Sequence, residues 1–494
     1  MSVFPSSSIG LPSSLKYDLP PSLPDSARSY SVNVAPDGIT SVSLTGNIGG
    51  SNNLFVANST GNFGNFISQM VSFTLPSGTS QSVFLDPAST TLSFTMQYTV
   101  ATASVGGTGL AMNLIGSAAS FFDTLVLYSN NIPIETINAY GLLQNFLIAN
   151  TVNIAERTGG LSICMGCDTN SATGIELPHS VAATYRFNFT IPLLSVIGAN
   201  VIDKFIPIGS LNNVQLQLQT ANIMPLASYC SIVATTQPVI NNFLLSEFTL
   251  NMKYVDVGDM ASQLLSQTLI DGKWFIKAQT YTQSSVTLPA QSSGSQQLLL
   301  QIRNTSLKSV IHQFGITQSA ACPNGYYDAI NPGLTSRQLQ VGGFYYPNKP
   351  INDCSRPSEG YPYLIQSLTM GGSIVKSYGT LITRDMYNAV FPTLPVNSDT
   401  ACVVPASGIR AAYAGSDNTG INIIKWPNSA YYGYDLEKSA GILFQGINSR
   451  SAAPFLNLYL GASTGANTIL LNAWGISDVI LQIDVVAKEI KAFI

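Results

Sequence analysis

Charge is what this sequence has least of: 21 basic and 25 acidic side chains make up 9% of 494 residues, against roughly 25% in ordinary soluble chains. No run of Lys or Arg occurs and the net charge is −4. That excludes a glove for phosphate backbones, and with it sequence-specific nucleic-acid binding. Histidine is limited to His179 and His312, so most acid–base and metal constellations lack their parts. Six cysteines, Cys164, Cys167, Cys230, Cys322, Cys354 and Cys402, are too few for a disulfide scaffold and read as thiols of a reducing compartment. No apolar run reaches the roughly 18 residues of a membrane span. The opening MSVFPSSSIG has neither the basic nor the apolar region of a secretory signal. A soluble chain is expected, with no cofactor, no metal ion and no catalytic residue.

Ser, Thr, Asn, Gln and Gly stand where charge would be, along the whole chain. Such side chains hydrogen-bond without the desolvation cost of an ion, which suits surfaces later buried against other chains. A protein built for assembly is one reading; a β-sandwich adhesin or glycan-binding, fibre-like protein is the other. The length exceeds the roughly 250–300 residues at which one core stops growing, so two domains are expected.

Residues 1–60 hold Pro5, Pro12, Pro20, Pro21, Pro24 and Pro36 among Ser, Gly and Asn, and predict an extended N-terminal arm. In a first domain of residues 61–258, period-2 alternation predicts strands over 70–75, 92–100, 121–128, 185–191, 214–219 and 248–255. Apolar spacings of three and four predict a helix over residues 136–149. A helical linker is expected over residues 259–272, with Asp259 as N-cap. In a second domain of residues 273–494, strands are predicted over 274–283, 297–303, 310–314, 455–460 and 479–486, and helices over 361–368 and 383–390.

The two halves echo each other. Thr74-Leu75-Pro76 returns as Thr287-Leu288-Pro289, and Asn131 to Ile134 before YGLLQNFL from Tyr140 return as Asn348 to Ile351 before YPYLIQSL from Tyr361. Order and spacing are nearly kept, which points to a duplicated domain. Short strands with long Gly-rich connections make each copy a sandwich or barrel.

Few motifs offer chemistry. Cys164-Met165-Gly166-Cys167 has the spacing of half a zinc or redox site, with His179 near in sequence, but no second pair exists and two thiols is the better reading. Gly461-Ala462-Ser463-Thr464-Gly465 fits G-x-S-x-G, yet no histidine follows it, so a hairpin turn is expected. Asp168-Thr169-Asn170 with Gly174 and Glu176 misplaces the glycine and glutamate of a calcium loop. His312 is expected to be a hydrogen-bonded structural residue. Tyr345, Tyr346, Tyr361, Tyr363, Tyr431, Tyr432 and Tyr434 either line a glycan site or pack beneath loops and across subunit contacts.

The run from Ser120 through Tyr128 to YGLLQNFL, then FTIPLLSVIG from Phe189, KFIPIGSLNNVQLQLQ from Lys204, QIRNTSLKSV from Gln301 and GGFYYPNKPI from Gly342, resemble the double jelly-roll major capsid proteins of tectiviruses, adenoviruses, polinton-like viruses and virophages. The resemblance covers residues 66–494. It implies an all-β fold of two tandem eight-stranded jelly rolls with a few short helices and long loops. It further implies a homotrimer that forms a pseudo-hexagonal capsomer of an icosahedral virion. The implied partners are neighbouring capsomers and the penton and minor capsid proteins, with assembly inside the host cell. Segments 101–117 and 401–431 would form outward towers, and the arm would face an inner membrane or genome, or tie capsomers together. An enzyme is not expected.

Overall fold

Alternation decides the architecture, because it gives each strand one face for the core and one for its surroundings. The computed structural model describes residues 27–43, 68–78, 80–102, 111–167, 173–178, 180–199, 204–222, 226–229, 239–316, 329–352, 357–369, 430–438, 446–461 and 468–493. The first half runs β1 (Arg28–Val34), β2 (Ser41–Ser43), β3 (Met70–Thr74), β4 (Val83–Thr102), β5 (Ala111–Ile115), β6 (Phe122–Ser129), β7 (Ile132–Asn138), α1 (Tyr140–Thr151), α2 (Ile154–Thr158), α3 (Gly160–Met165), β8 (Thr173–Glu176), β9 (Thr184–Pro192), β10 (Val214–Thr220), β11 (Leu226–Tyr229) and β12 (Val239–Asp256). Helix α4 (Gly258–Ser266) leads into the second. That half runs β13 (Lys273–Leu288), β14 (Gly294–Leu299), β15 (Leu307–Ile316), β16 (Leu334–Val341), β17 (Phe344–Ile351), α5 (Pro357–Thr369), β18 (Tyr431–Asp435), β19 (Phe455–Leu460), β20 (Ile469–Asp484) and β21 (Glu489–Phe493).

The first half pairs its strands as β1-β12-β4-β9 and β3-β10-β6-β7, and the second as β13-β20-β15-β18 and β14-β19-β16-β17. Every pairing is antiparallel. Taken in chain order, the eight strands of each half follow one scheme: first-eighth-third-sixth in one sheet, second-seventh-fourth-fifth in the other. This is an eight-stranded jelly roll, made twice, with α1 and α5 at the same step between the fifth and sixth strands. Strands β2 and β21 add to β12 and β20, and β11-β5-β8 form a separate small sheet in the first half. The β6–β7 hairpin turns on Asn130 and Asn131, both left-handed at φ 49° and 65°, the conformation that matches strand twist in a two-residue turn.

Several expectations need correction. Of the residues 1–60 assigned to an arm, Arg28–Val34 form the first strand of the first jelly roll, paired with β12 from Arg28↔Asp256 to Val34↔Leu250. Val32 and Val34 pack against the core, so this domain starts well before residue 61. The helix expected over 136–149 begins only at Tyr140, because β7 continues to Asn138 and Ala139 breaks the chain direction at φ 48°. Asp259 lies in the first turn of α4 and Val257 is the N-cap. The strand expected over 297–303 stops at Leu299. The Thr-Leu-Pro echo is not an echo of position: Thr74 ends β3, the second strand of its half, whereas Thr287 lies near the end of β13, the first strand of its own. The Tyr140 and Tyr361 helices, by contrast, are equivalent. The helix expected over 383–390 lies outside the described residues, as do 103–110 and 401–429 of the expected towers.

One core cluster fills the first jelly roll and continues into the second through Tyr281, Ile311, Trp474, Ile476 and Val479. A separate cluster fills the interior of the second jelly roll. At the centre of the first, Phe94 meets Phe122 edge-on at 5.3 Å and stacks on Phe248 at 6.0 Å, geometries that add to plain burial.

Candidate functional site

The junction between the jelly rolls concentrates the unusual side chains. The outer face of the β13-β20-β15-β18 sheet carries Tyr281, Ile311, Trp474, Ile476 and Tyr431, and the first half covers it. Phe146 of α1 is the plug, fully buried with its ring 4.8 Å from Tyr431 and 6.0 Å from Trp474. The Trp474 indole N–H donates to the Asn138 carbonyl at 3.4 Å, Asn212 N–H to Lys488 O at 3.0 Å, and Ile490 N–H to Ser129 Oγ at 2.9 Å.

Within this seam lies Glu135, on β7. Its Oε2 accepts from Ser195 Oγ at 2.5 Å and Val196 N–H at 2.9 Å, and its Oε1 accepts from Thr280 Oγ1 of the second jelly roll at 2.8 Å. Burial pushes this carboxyl up to about 7, against the pull of those three donors. Between α1 and the second jelly roll, a cavity of about 220 Å³ is bounded by Leu147 and Thr151 of α1, Leu368 of α5, and Tyr281, Lys308 and Asp435. Lys308 is buried against Glu437 at 2.7 Å and Asp478 at 3.6 Å, and Asp478 also faces Lys277 at 3.7 Å. Burial, helped by the negative charge of Glu437, raises Asp435 above the ordinary carboxylate range.

The equivalent outer face of the first half, on β1-β12-β4-β9, is open and polar. Its ladder joins Asn251 to Ser93 at 2.7 Å, Ser93 to Thr190 at 2.9 Å and Thr95 to Asn188 at 2.8 Å. Lys253, Arg186 and Asn188 stand exposed on it.

The residues picked out from sequence do not gather into a site. Cys164 is exposed at the end of α3 and Cys167 is buried, while His179, Asp168 and residues 462–465 lie outside the described residues. Among the described residues no group of three or more His, Cys, Asp or Glu converges on a metal position. His312 is buried, but among the described residues neither ring nitrogen has a hydrogen-bond partner; it sits in an aromatic cage, 5.1 Å from Tyr432, 5.5 Å from Phe314 and 5.7 Å from Tyr434. Of the seven tyrosines, Tyr345 alone is exposed; Tyr431, Tyr432 and Tyr434 are buried on β18 and the other three are half-buried. They do not form an aromatic binding surface. Nothing local in the sequence marks Glu135, Phe146, Thr280 or Trp474, since each meets a partner across the junction that lies more than a hundred positions away.

No protein-family model matches the chain, and no curated protein does. Solved structures do. The PBCV-1 virus capsid matches at a TM-score of 0.51 and 12% identity, over 95% of this chain and 97% of that one. The fold is that of the double jelly-roll capsid proteins. A chain of the Sputnik virophage structure matches at 0.52 and 10%, over 100% and 92%. The Faustovirus major capsid protein matches at 0.50 and 9%, over 94% and 92%. In this double jelly roll the junction described above is the contact between its two barrels.

Proposed function

We propose that the chain is the major capsid protein of an icosahedral virion, with a structural rather than catalytic role, and that it forms homotrimers whose six jelly rolls make a pseudo-hexagonal capsomer. The observation that carries this reading is the likeness of nearly the whole chain, both jelly rolls together, to the viral capsid structures. A second supports it: the outer sheet face of one barrel is covered by its neighbour while the equivalent face of the other is open. Contacts that repeat around six barrels would cover every such face, and closed rings are how identical subunits satisfy a heterologous contact. Neighbouring capsomers, penton and minor capsid proteins are the partners this role requires. A contact with membrane or genome through the N-terminal arm is part of the same proposal; residues 1–26 and 44–60 of that arm lie outside the described residues.

Light scattering on the purified protein tests the reading. A particle near 158 kDa, three times the 52.5 kDa chain, is expected, with hexagonal outlines in negative stain. A stable monomer at micromolar concentration would overturn it.

A further inference from the structure

Glu135 is an uncommon arrangement: a fully buried carboxylate that joins two domains without a cation. Its donors are divided between the barrels, with Ser195 and Val196 on one side and Thr280 on the other. The titratable groups around it are few. α1 brings Tyr140, whose hydroxyl accepts from Leu194 N–H at 2.9 Å, and β13 brings Tyr281, both buried and held protonated. β6 carries Asp123 and Tyr128. Lys277 on β13 is engaged with Asp478 on β20, and Lys491 on β21 with Glu489. Among the described residues no Lys or Arg pairs with Glu135.

We propose that Glu135 is a proton-operated latch between the two jelly rolls, closed when the carboxyl is neutral and loosened when it is charged. A proton from water, held on Oε1, converts that atom into a donor to Thr280 Oγ1, whose hydroxyl can turn to accept, while Oε2 keeps both its donors. Loss of the proton leaves a net charge in an apolar seam, where only dipoles oppose the desolvation cost. The sign follows from linkage: a carboxyl raised above its unfolded value of 4.5 contributes stability that is full below 4.5 and is lost as pH rises through about 7. Between pH 5.5 and 8 the opening equilibrium of the seam should change by roughly 30-fold.

The test is Glu135→Gln in the full chain. Glutamine keeps the shape, accepts from Ser195 and Val196 through its oxygen and donates to Thr280. It is expected to melt above wild type at pH 8, with the difference clearly smaller at pH 5.5 and vanishing only toward about pH 4.5. The difference is the readout because His312, buried neutral, acts in the opposite sense in acid. A constant offset across that range would overturn the latch. Should the variant not fold, hydrogen exchange of the wild type carries the test, corrected for intrinsic rates. Amides of β7 and β13 should open roughly 30-fold more at pH 8 than at 5.5 relative to β19; equal change in all three strands would refute the proposal.

Discussion

Arg337 is fully buried, lying over the rings of Tyr432 and Tyr434 at 5.0 and 4.8 Å and donating to the carbonyls of Gly433 at 3.2 Å and Gly360 at 3.4 Å. A planar guanidinium can stack on two rings and bridge two carbonyls at once; a lysine cannot. Arg337→Lys is therefore expected to cost about 2 kcal/mol, read as a lower urea midpoint at unchanged slope. His312 shares this cage, and burial, with the positive charge of Arg337, holds it well below its ordinary 6.5. The unfolded chain gains a proton near 6.5 that the folded chain refuses, so stability is lost as pH falls below that value. His312→Phe should flatten the acid side of the stability profile, measured by urea unfolding at pH 5 and 7. Neither Glu135 nor His312 could be read correctly from sequence. Glu135 stands in IPIETIN like any solvent-facing residue of a strand, and the side chains that enclose it come from elsewhere in the chain.

Among the elements, β10 and β19 were legible to within a residue, because VQLQLQT and FLNLYL alternate without interruption. The strand β1 was not, since five of its seven side chains are exposed and the residues around it are rich in proline and serine. The break at Ala139 has no sequence mark at all. Edge strands carry their own protection: Pro347 and Pro350 on β17, and Pro133 on β7, remove the donors that a foreign strand would need. Helix α5 is seated by a glycine. A Cβ on Gly433 would stand 2.0 Å from Ser367 Oγ and 3.1 Å from the Leu364 backbone. Gly433→Ala should thus displace α5 and cost about 1–3 kcal/mol in a thermal melt. Adding Ser367→Gly should recover part of the loss.

At the scale of the whole molecule, the duplicated plan and the two-domain division were visible because one echoed helix motif survived divergence, and the capsid-like resemblance agrees with the fold. The dependence of one barrel on the other was not visible. Phe146→Ala should cost about 3–5 kcal/mol at the junction, seen as a lowered melting midpoint together with binding of a hydrophobic dye. Residues 273–494 made alone should aggregate, because Ile311, Trp474 and Tyr281 would lose their cover; a monodisperse peak on gel filtration would contradict this. The pairing of β1 with β12 has a consequence for synthesis. The ribosome makes the opening strand of the first barrel more than two hundred residues before its partner, and β4, later paired to that same partner, must also wait. The first barrel can close only once Asp256 has emerged, and the chain then gives α4 and a turn before starting the next. The nascent protein thus has one barrel complete before the other begins, and the finished one is the surface on which the second must settle.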